Sequence, residues 1–103
     1  MSTIKIRVKR REGVSLIRLL IAHPMDTGRK RDKASGELIP AHFIQEVKIE
    51  HNAKLIASCQ LSTAVSRDPY LSLRLRGGVA GDKLKVSWID NLGQSDSAET
   101  VIP

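Results

Sequence analysis

Apolar and polar residues alternate along most of this chain in short stretches. Ile4, Ile6 and Val8 share one side of residues 4–8, the period of two that marks a half-buried strand. Glu12-Gly13 punctuates that run. Val14 to Ala22 is apolar at almost every position after Ser15 except Arg18, which predicts a strand buried on both faces or near the interior of a sheet. Phe43 to His51 places Phe43, Val47 and Ile49 on one face, Asn52-Ala53 reads as a two-residue hairpin turn, and Lys54 to Leu61 is the returning strand. Asn tolerates the left-handed backbone that such a turn requires, and Ala does so poorly. Beyond Pro69, Tyr70 to Arg76 alternates with Leu71, Leu73 and Leu75 facing inward, and Lys83 to Asp90 with Leu84, Val86 and Trp88. A last short strand is expected around Ala98 to Ile102. Helical periodicity is absent. Seven short strands with frequent turn signals predict an all-β chain, an immunoglobulin-like antiparallel β-sandwich forming one domain over residues 1–103.

One segment breaks the alternation. From His23 to His42 the chain reads H-P-M-D-T-G-R-K-R-D-K-A-S-G-E-L-I-P-A-H. Compact domains keep connections of about 20 residues chiefly where these are functional or disordered. This one mixes turn formers, charge and an apolar tail, so an ordered excursion is expected. Pro24 and Pro40 cannot donate to a ladder and bracket it.

Composition narrows the picture. With 41% hydrophobic and 27% charged residues the chain is ordinary for a globular protein, but aromatics are only 3%, so the core must be aliphatic. No apolar run approaches the roughly 20 residues of a membrane span, and no secretory signal is visible, which alone points to the cytoplasm. Cys59 is the only cysteine, which excludes an internal disulfide and thiol metal clusters. In Leu55-Ile56-Ala57-Ser58-Cys59-Gln60-Leu61 it reads as a small hydrophobe in a sheet; the rival, a nucleophile for a thiol enzyme, has no nearby base in the sequence. The net charge is +6, with clusters at Lys9-Arg10-Arg11 and Arg29-Lys30-Arg31. The other cations mostly occupy alternate strand positions, as on a solvated sheet face with some attraction for partners. A basic nucleic-acid-binding β-domain is the remaining alternative, disfavoured by the lack of aromatic stacking platforms.

No catalytic constellation is found. His23, His42 and His51 fit no zinc spacing. His23 and His42 bracket the excursion, and a pair holding its ends through hydrogen bonds is favoured over a metal site, since two ligands rarely suffice. Gly77-Gly78-Val79-Ala80-Gly81 is no phosphate loop. Neither a cofactor nor a metal is expected, and the chain is read as a non-enzyme.

The segments His23-Pro24-Met25-Asp26-Thr27-Gly28, Ile39-Pro40-Ala41-His42-Phe43-Ile44, Pro69-Tyr70-Leu71, Gly81-Asp82 and Trp88-Ile89-Asp90-Asn91-Leu92-Gly93 resemble the SoxZ family in order and spacing along the whole chain. Asn52-Ala53 stands where the family usually has Asn-Gly, and Cys59 falls where no family role is expected. The resemblance implies an immunoglobulin-like sandwich that forms the non-catalytic half of the SoxYZ carrier of bacterial thiosulfate oxidation. Its partner SoxY would hold sulfur intermediates on a cysteine of a C-terminal arm. A c-type cytochrome complex, a sulfate-releasing hydrolase and a sulfane dehydrogenase would be transient partners, with no nucleic acid and no membrane. The missing signal would then reflect periplasmic export together with a signal-bearing partner. The excursion supplies the candidate partner contacts: Met25, Leu38, Ile39 and Pro40 as apolar groups, Arg29 and Arg31 as cations, and His23 and His42 at its ends. Ile39 and Phe43 have a competing role as core residues sealing the sandwich end. The excursion, rather than the sheet face, is expected to make the contact.

Overall fold

The computed structural model describes residues 3–103. Its seven strands are β1 (Ile4–Arg11), β2 (Val14–Ile21), β3 (Ile44–His51), β4 (Lys54–Gln60), β5 (Tyr70–Arg76), β6 (Lys83–Asp90) and β7 (Ser95–Val101). They form an immunoglobulin-like sandwich of two antiparallel sheets, β1-β2-β5 and β4-β3-β6-β7.

The alternation read from the sequence sets the inner faces. Ile17, Leu19 and Ile21 of β2 meet Val47 and Ile49 of β3 and Leu84, Val86 and Trp88 of β6 in one buried cluster, closed by Ile4, Ile44 and Ile102. Burying each such aliphatic side chain contributes about 1.5–3 kcal/mol. Leu71, Leu73 and Leu75 pack against this cluster from β5, and Phe43 from the start of β3.

Four local expectations are revised. Of the two settings expected for β2, the sheet interior is the observed one, since β2 is the middle strand of its sheet. Burial on both faces is not, because a two-layer sandwich offers each strand a single interior; Arg18 is exposed and Leu20 is 40% exposed on the other face. β1 runs on to Arg11, since Lys9-Arg10-Arg11 keeps pairing with Leu16-Ser15-Val14. β7 starts earlier, at Ser95, where polar Ser95-Asp96-Ser97 pairs with Ile89-Trp88-Ser87 at a sheet edge that carries little apolar signal. An irregularity between Ile44 and Glu46 in the β3–β6 ladder brings Ile44 inward with Val47 and Ile49, so strict alternation fails at that point.

The excursion is an ordered, long hairpin. Asp26 and His42 exchange backbone hydrogen bonds at its root (2.7 and 3.0 Å), and Ile39 N donates to Lys30 O (2.8 Å) farther out. Near the tip Asp32 N donates to Glu37 O (2.8 Å), and the Arg31 guanidinium donates to Gly36 O (3.0 Å). Residues 29–38 are exposed throughout.

The β3–β4 turn places both Asn52 (φ 48°) and Ala53 (φ 67°) in the left-handed region, the conformation of a type I′ turn. A β-carbon is unfavourable there. Ala53→Gly is therefore expected to raise the unfolding free energy by about 0.5–1 kcal/mol. Urea denaturation checks this: a higher midpoint at unchanged slope is predicted, and an unchanged or lower midpoint contradicts it.

Candidate functional site

Where β2 ends, the chain is tied to the β5 side before it enters the excursion. Ile21 N donates to Pro69 O (3.1 Å), Asp68 N to His23 O (3.0 Å), and His23 N to the Asp68 carboxylate (3.0 Å). Met25 then takes a left-handed conformation (φ 50°), which aims its N–H back at His23 Nδ1 (3.1 Å). Because Nδ1 accepts, the network assigns the ring proton to Nε2. That Nε2–H donates to Asp90 Oδ2 at 3.1 Å, and His42 Nε2 donates to the same oxygen at 2.7 Å. Asp90 Oδ1 accepts from Leu92 N (3.0 Å) and Gln94 N (2.8 Å).

Asp90 is thus a buried carboxylate, 1% exposed, at the end of β6. Burial pushes its pKa up, but the hydrogen bonds from His23, His42, Gln94 and Leu92 outweigh that and hold it below the usual carboxylate value. It stays ionised. The His23 ring stands edge-on to His42 (centroids 4.5 Å apart) and to Trp88 (5.2 Å). Trp88 Nε1 in turn donates to Thr3 Oγ1 (3.0 Å).

Asn91 continues the same device. Its Oδ1 accepts from Phe43 N and its Nδ2 donates to Ala41 O, each at 2.8 Å. On the opposite arm Gly28 (φ 82°) lies so close to Ala41 that a β-carbon would come within 3.3 Å of the Ala41 Cβ. Both arms of the hairpin are therefore fastened to the β6–β7 turn and to each other. Four of the five segments singled out in the sequence converge at this end of the sandwich. The fifth, Gly81-Asp82, lies at the other end of β6, where His51 Nε2 donates to Asp82 (2.8 Å). The Val79 backbone N–H, His51 and Asn52 lower the Asp82 pKa to about 2.

His23, His42 and Asp90 bring one ligating atom each within 4.8 Å of one another. A cation on His23 Nε2 would require that ring's proton on Nδ1, which already accepts from Met25 N, and the Asp90 oxygens each accept two hydrogen bonds. The partners of Asp90 are ring or backbone N–H groups, with no nucleophile among them. The arrangement is suited to holding the hairpin in place, as expected of a histidine pair at the ends of the excursion, with Asp90 as the added third member.

Among the contact candidates, Arg29, Arg31, Leu38 and Pro40 are exposed, and Ile39 and His42 are half-buried. Met25 and His23 are each only 4% exposed. Met25 is not the exposed loop side chain expected: it lies in the core and its sulfur accepts from Ile44 N (3.3 Å). The surrounding polar and charged residues concealed that, because the left-handed turn at Met25 cannot be read from alternation. Asp90, Asn91 and Asp68, which tie this network together, are not among the contact residues expected from the sequence. The W-I-D-N-L-G segment was the signal that pointed at the first two. Cys59 is half-buried in β4 opposite Val47 and packs against the core, as a small hydrophobe would.

Fold and site together define an immunoglobulin-like β-domain whose long hairpin is pinned at its root by a buried carboxylate. A family model described as "Sulphur oxidation protein SoxZ" matches residues 4–101. The chain belongs to the SoxZ family, which places it in sulfur oxidation. Among solved structures, the hypothetical protein PH1083 from Pyrococcus horikoshii OT3 superimposes with a TM-score of 0.72 over 98% of this chain and 88% of that one. At 12% identity this likeness shows the fold alone. A search of curated proteins gave no match.

Removing the Asp90 carboxylate leaves four N–H donors without an acceptor, two of them histidine rings. Asp90→Ala is expected to cost about 3 kcal/mol near neutral pH, the order expected when buried donors are left unsatisfied, measured by urea denaturation; a loss below about 1 kcal/mol contradicts the assignment. The lowered pKa fixes the sign of the acid response. The Asp90 contribution is complete above the ordinary carboxylate range near pH 4 and is lost as pH falls through the lower native value. Asp90→Asn should therefore flatten the acid limb of the stability curve without abolishing it, since Asp82 and Asp96 also have lowered pKa values. An acid limb as steep as that of the wild type contradicts this.

Proposed function

We propose that this chain is the non-catalytic subunit of a SoxYZ-type sulfur carrier. It binds and stabilises SoxY, whose C-terminal cysteine arm holds the sulfur intermediates covalently, and it helps present that arm to the pathway enzymes. The family match over residues 4–101 carries this reading. The pinned hairpin supports it, because it offers an ordered projection with Leu38 55% exposed beside Arg29, Arg31 and Pro40. Methodical positioning of an apolar residue among arginines suits an interface centre, where Arg is enriched. We assign the SoxY contact to this outer part of the hairpin, with Ile39 and His42 at its margin and Met25 and His23 supporting it from within.

The cytochrome complex, the sulfate-releasing hydrolase and the sulfane dehydrogenase would meet the carrier transiently. The compartment is the periplasm, reached with a signal-bearing partner. No helix among the described residues is long and apolar enough to cross a membrane. The half-buried setting of Cys59 in a paired strand argues against a thiol enzyme, because an attacking thiolate needs access.

Co-expression with SoxY, followed by size-exclusion chromatography and intact-mass analysis, tests the proposal. One peak with a copy of each chain is expected, and elution of this chain alone contradicts it. Leu38→Asp combined with Arg31→Glu is expected to weaken the heterodimer at least tenfold, about 1.4 kcal/mol, while Lys48→Glu on the four-stranded sheet leaves it unchanged. Equal effects would remove the hairpin from the interface. Cys59→Ser should leave sulfur turnover of the reconstituted system near normal.

A further inference from the structure

The outward face of the three-stranded sheet is laid out in cross-strand rows over β1, β2 and β5. These are Lys5–Leu20–Tyr70, Arg7–Arg18–Ser72, Lys9–Leu16–Arg74 and Arg11–Val14–Arg76. Seven of these twelve positions are Lys or Arg and none is acidic. All seven cations are exposed, and none is ion-paired among the described residues. The whole chain has 17 basic and 11 acidic residues. Setting the seven aside leaves ten basic residues against 11 acidic ones, so this face holds the entire positive excess.

That distribution works against folding. Arg7 lies directly opposite Arg18, and like charges directly opposite across two strands are destabilising. The outer face of the other sheet is built in the ordinary way: Glu50 and Glu99 both stand in register with Lys85, and Glu46 lies 3.5 Å from Lys48. A face that serves only solvation has no need to collect one sign of charge.

The basic face also has an apolar floor. Val14 and Leu16 are half-buried along the middle strand, under a groove of about 840 Å³ walled by Lys9 and Arg11 on one side and Arg74 and Arg76 on the other. Glu12, in the β1–β2 turn, is the one carboxylate lining it. Leu20 and Tyr70, 40% and 60% exposed, extend the apolar strip along the same face.

We propose that this face docks a partner protein through an acidic segment in which apolar side chains alternate with carboxylates. The floor takes the apolar groups, and the arginines on both walls take the carboxylates in charge-assisted, bidentate pairs. An apolar centre with a charged rim is the anatomy of a protein interface, and the charge steers an acidic partner toward it. Tyr70 is the only aromatic of the face, too few for a nucleic-acid stacking platform. The floor is recessed between cations, whereas a membrane-binding surface presents its apolar side chains outward. The groove lies toward the β1–β2 turn, whereas the hairpin leaves from the opposite end of β2, so a carrier subunit can use both at once.

The test titrates the full-length chain with a fluorescently labelled decapeptide of alternating glutamate and leucine, followed by anisotropy. Saturable binding is expected, weakened by raising salt, and weakened at least tenfold by Arg18→Glu with Arg74→Glu. Lys48→Glu with Lys85→Glu on the other sheet should leave it unchanged. The neutral pair Arg18→Gln with Arg74→Gln keeps the test valid if charge reversal unfolds the chain, and should raise the melting temperature by about 2 °C or more as Arg7 loses its like-charged neighbour. Absence of peptide binding, or equal loss from both sheet variants, overturns the proposal. So does binding only to phosphatidylglycerol vesicles or to random single-stranded DNA. Failure to pair with SoxY leaves this result untouched, since the probe is not SoxY.

Discussion

One ionised carboxylate in the interior governs how this domain presents its longest loop. Asp90 is held by four N–H groups from three segments far apart in sequence: the entry to the excursion, its exit and the β6–β7 turn. A buried charge is tolerable only when its lone pairs are satisfied. The carboxylate therefore fixes the positions of both histidines, and they fix the two ends of the hairpin. Without it, a connection of about 20 residues would pay a large ordering entropy for two short stretches of backbone pairing.

The sandwich supplies the frame in which this works. β6 is a central strand whose Leu84, Val86 and Trp88 are buried, so Asp90 follows them inward by alternation alone. The His23 ring is trapped against Trp88, and Met25 fills the space beneath the hairpin root. The result is an apolar core capped at one end by a small polar network, with an exposed basic and apolar projection beyond it. This division separates stability, which resides in the core and the Asp90 network, from the recognition proposed for the hairpin and for the basic sheet face.

Most of the strands were legible because period two survives in aliphatic residues. Tyr70–Arg76 and Lys83–Asp90 are observed with the limits read from the sequence. Legibility failed where another force overrides alternation. At Gln45 an irregular ladder breaks the period; at Ser95–Ser97 backbone pairing alone makes a strand. Around Met25, a left-handed turn sends into the core a side chain that its polar neighbours mark as exposed. The histidine pair was legible from its position at the ends of the excursion. Asp90 was hidden, because an aspartate before Asn-Leu-Gly reads as a turn residue until the depth of β6 is known. The basic face was visible only as scattered cations; the strand order β1-β2-β5 is what gathers them.

The central claim, that Asp90 fastens the hairpin to the sandwich, is tested most directly by amide hydrogen exchange on wild type and Asp90→Asn under native conditions. Protection of the Asp26 and His42 amides, which close the hairpin root, is expected to collapse in the variant. The amides of Val47 and Val86, paired within the four-stranded sheet, should retain most of theirs. Unchanged protection at the root, or an even loss throughout both sheets, would show that the hairpin is held by something other than this carboxylate.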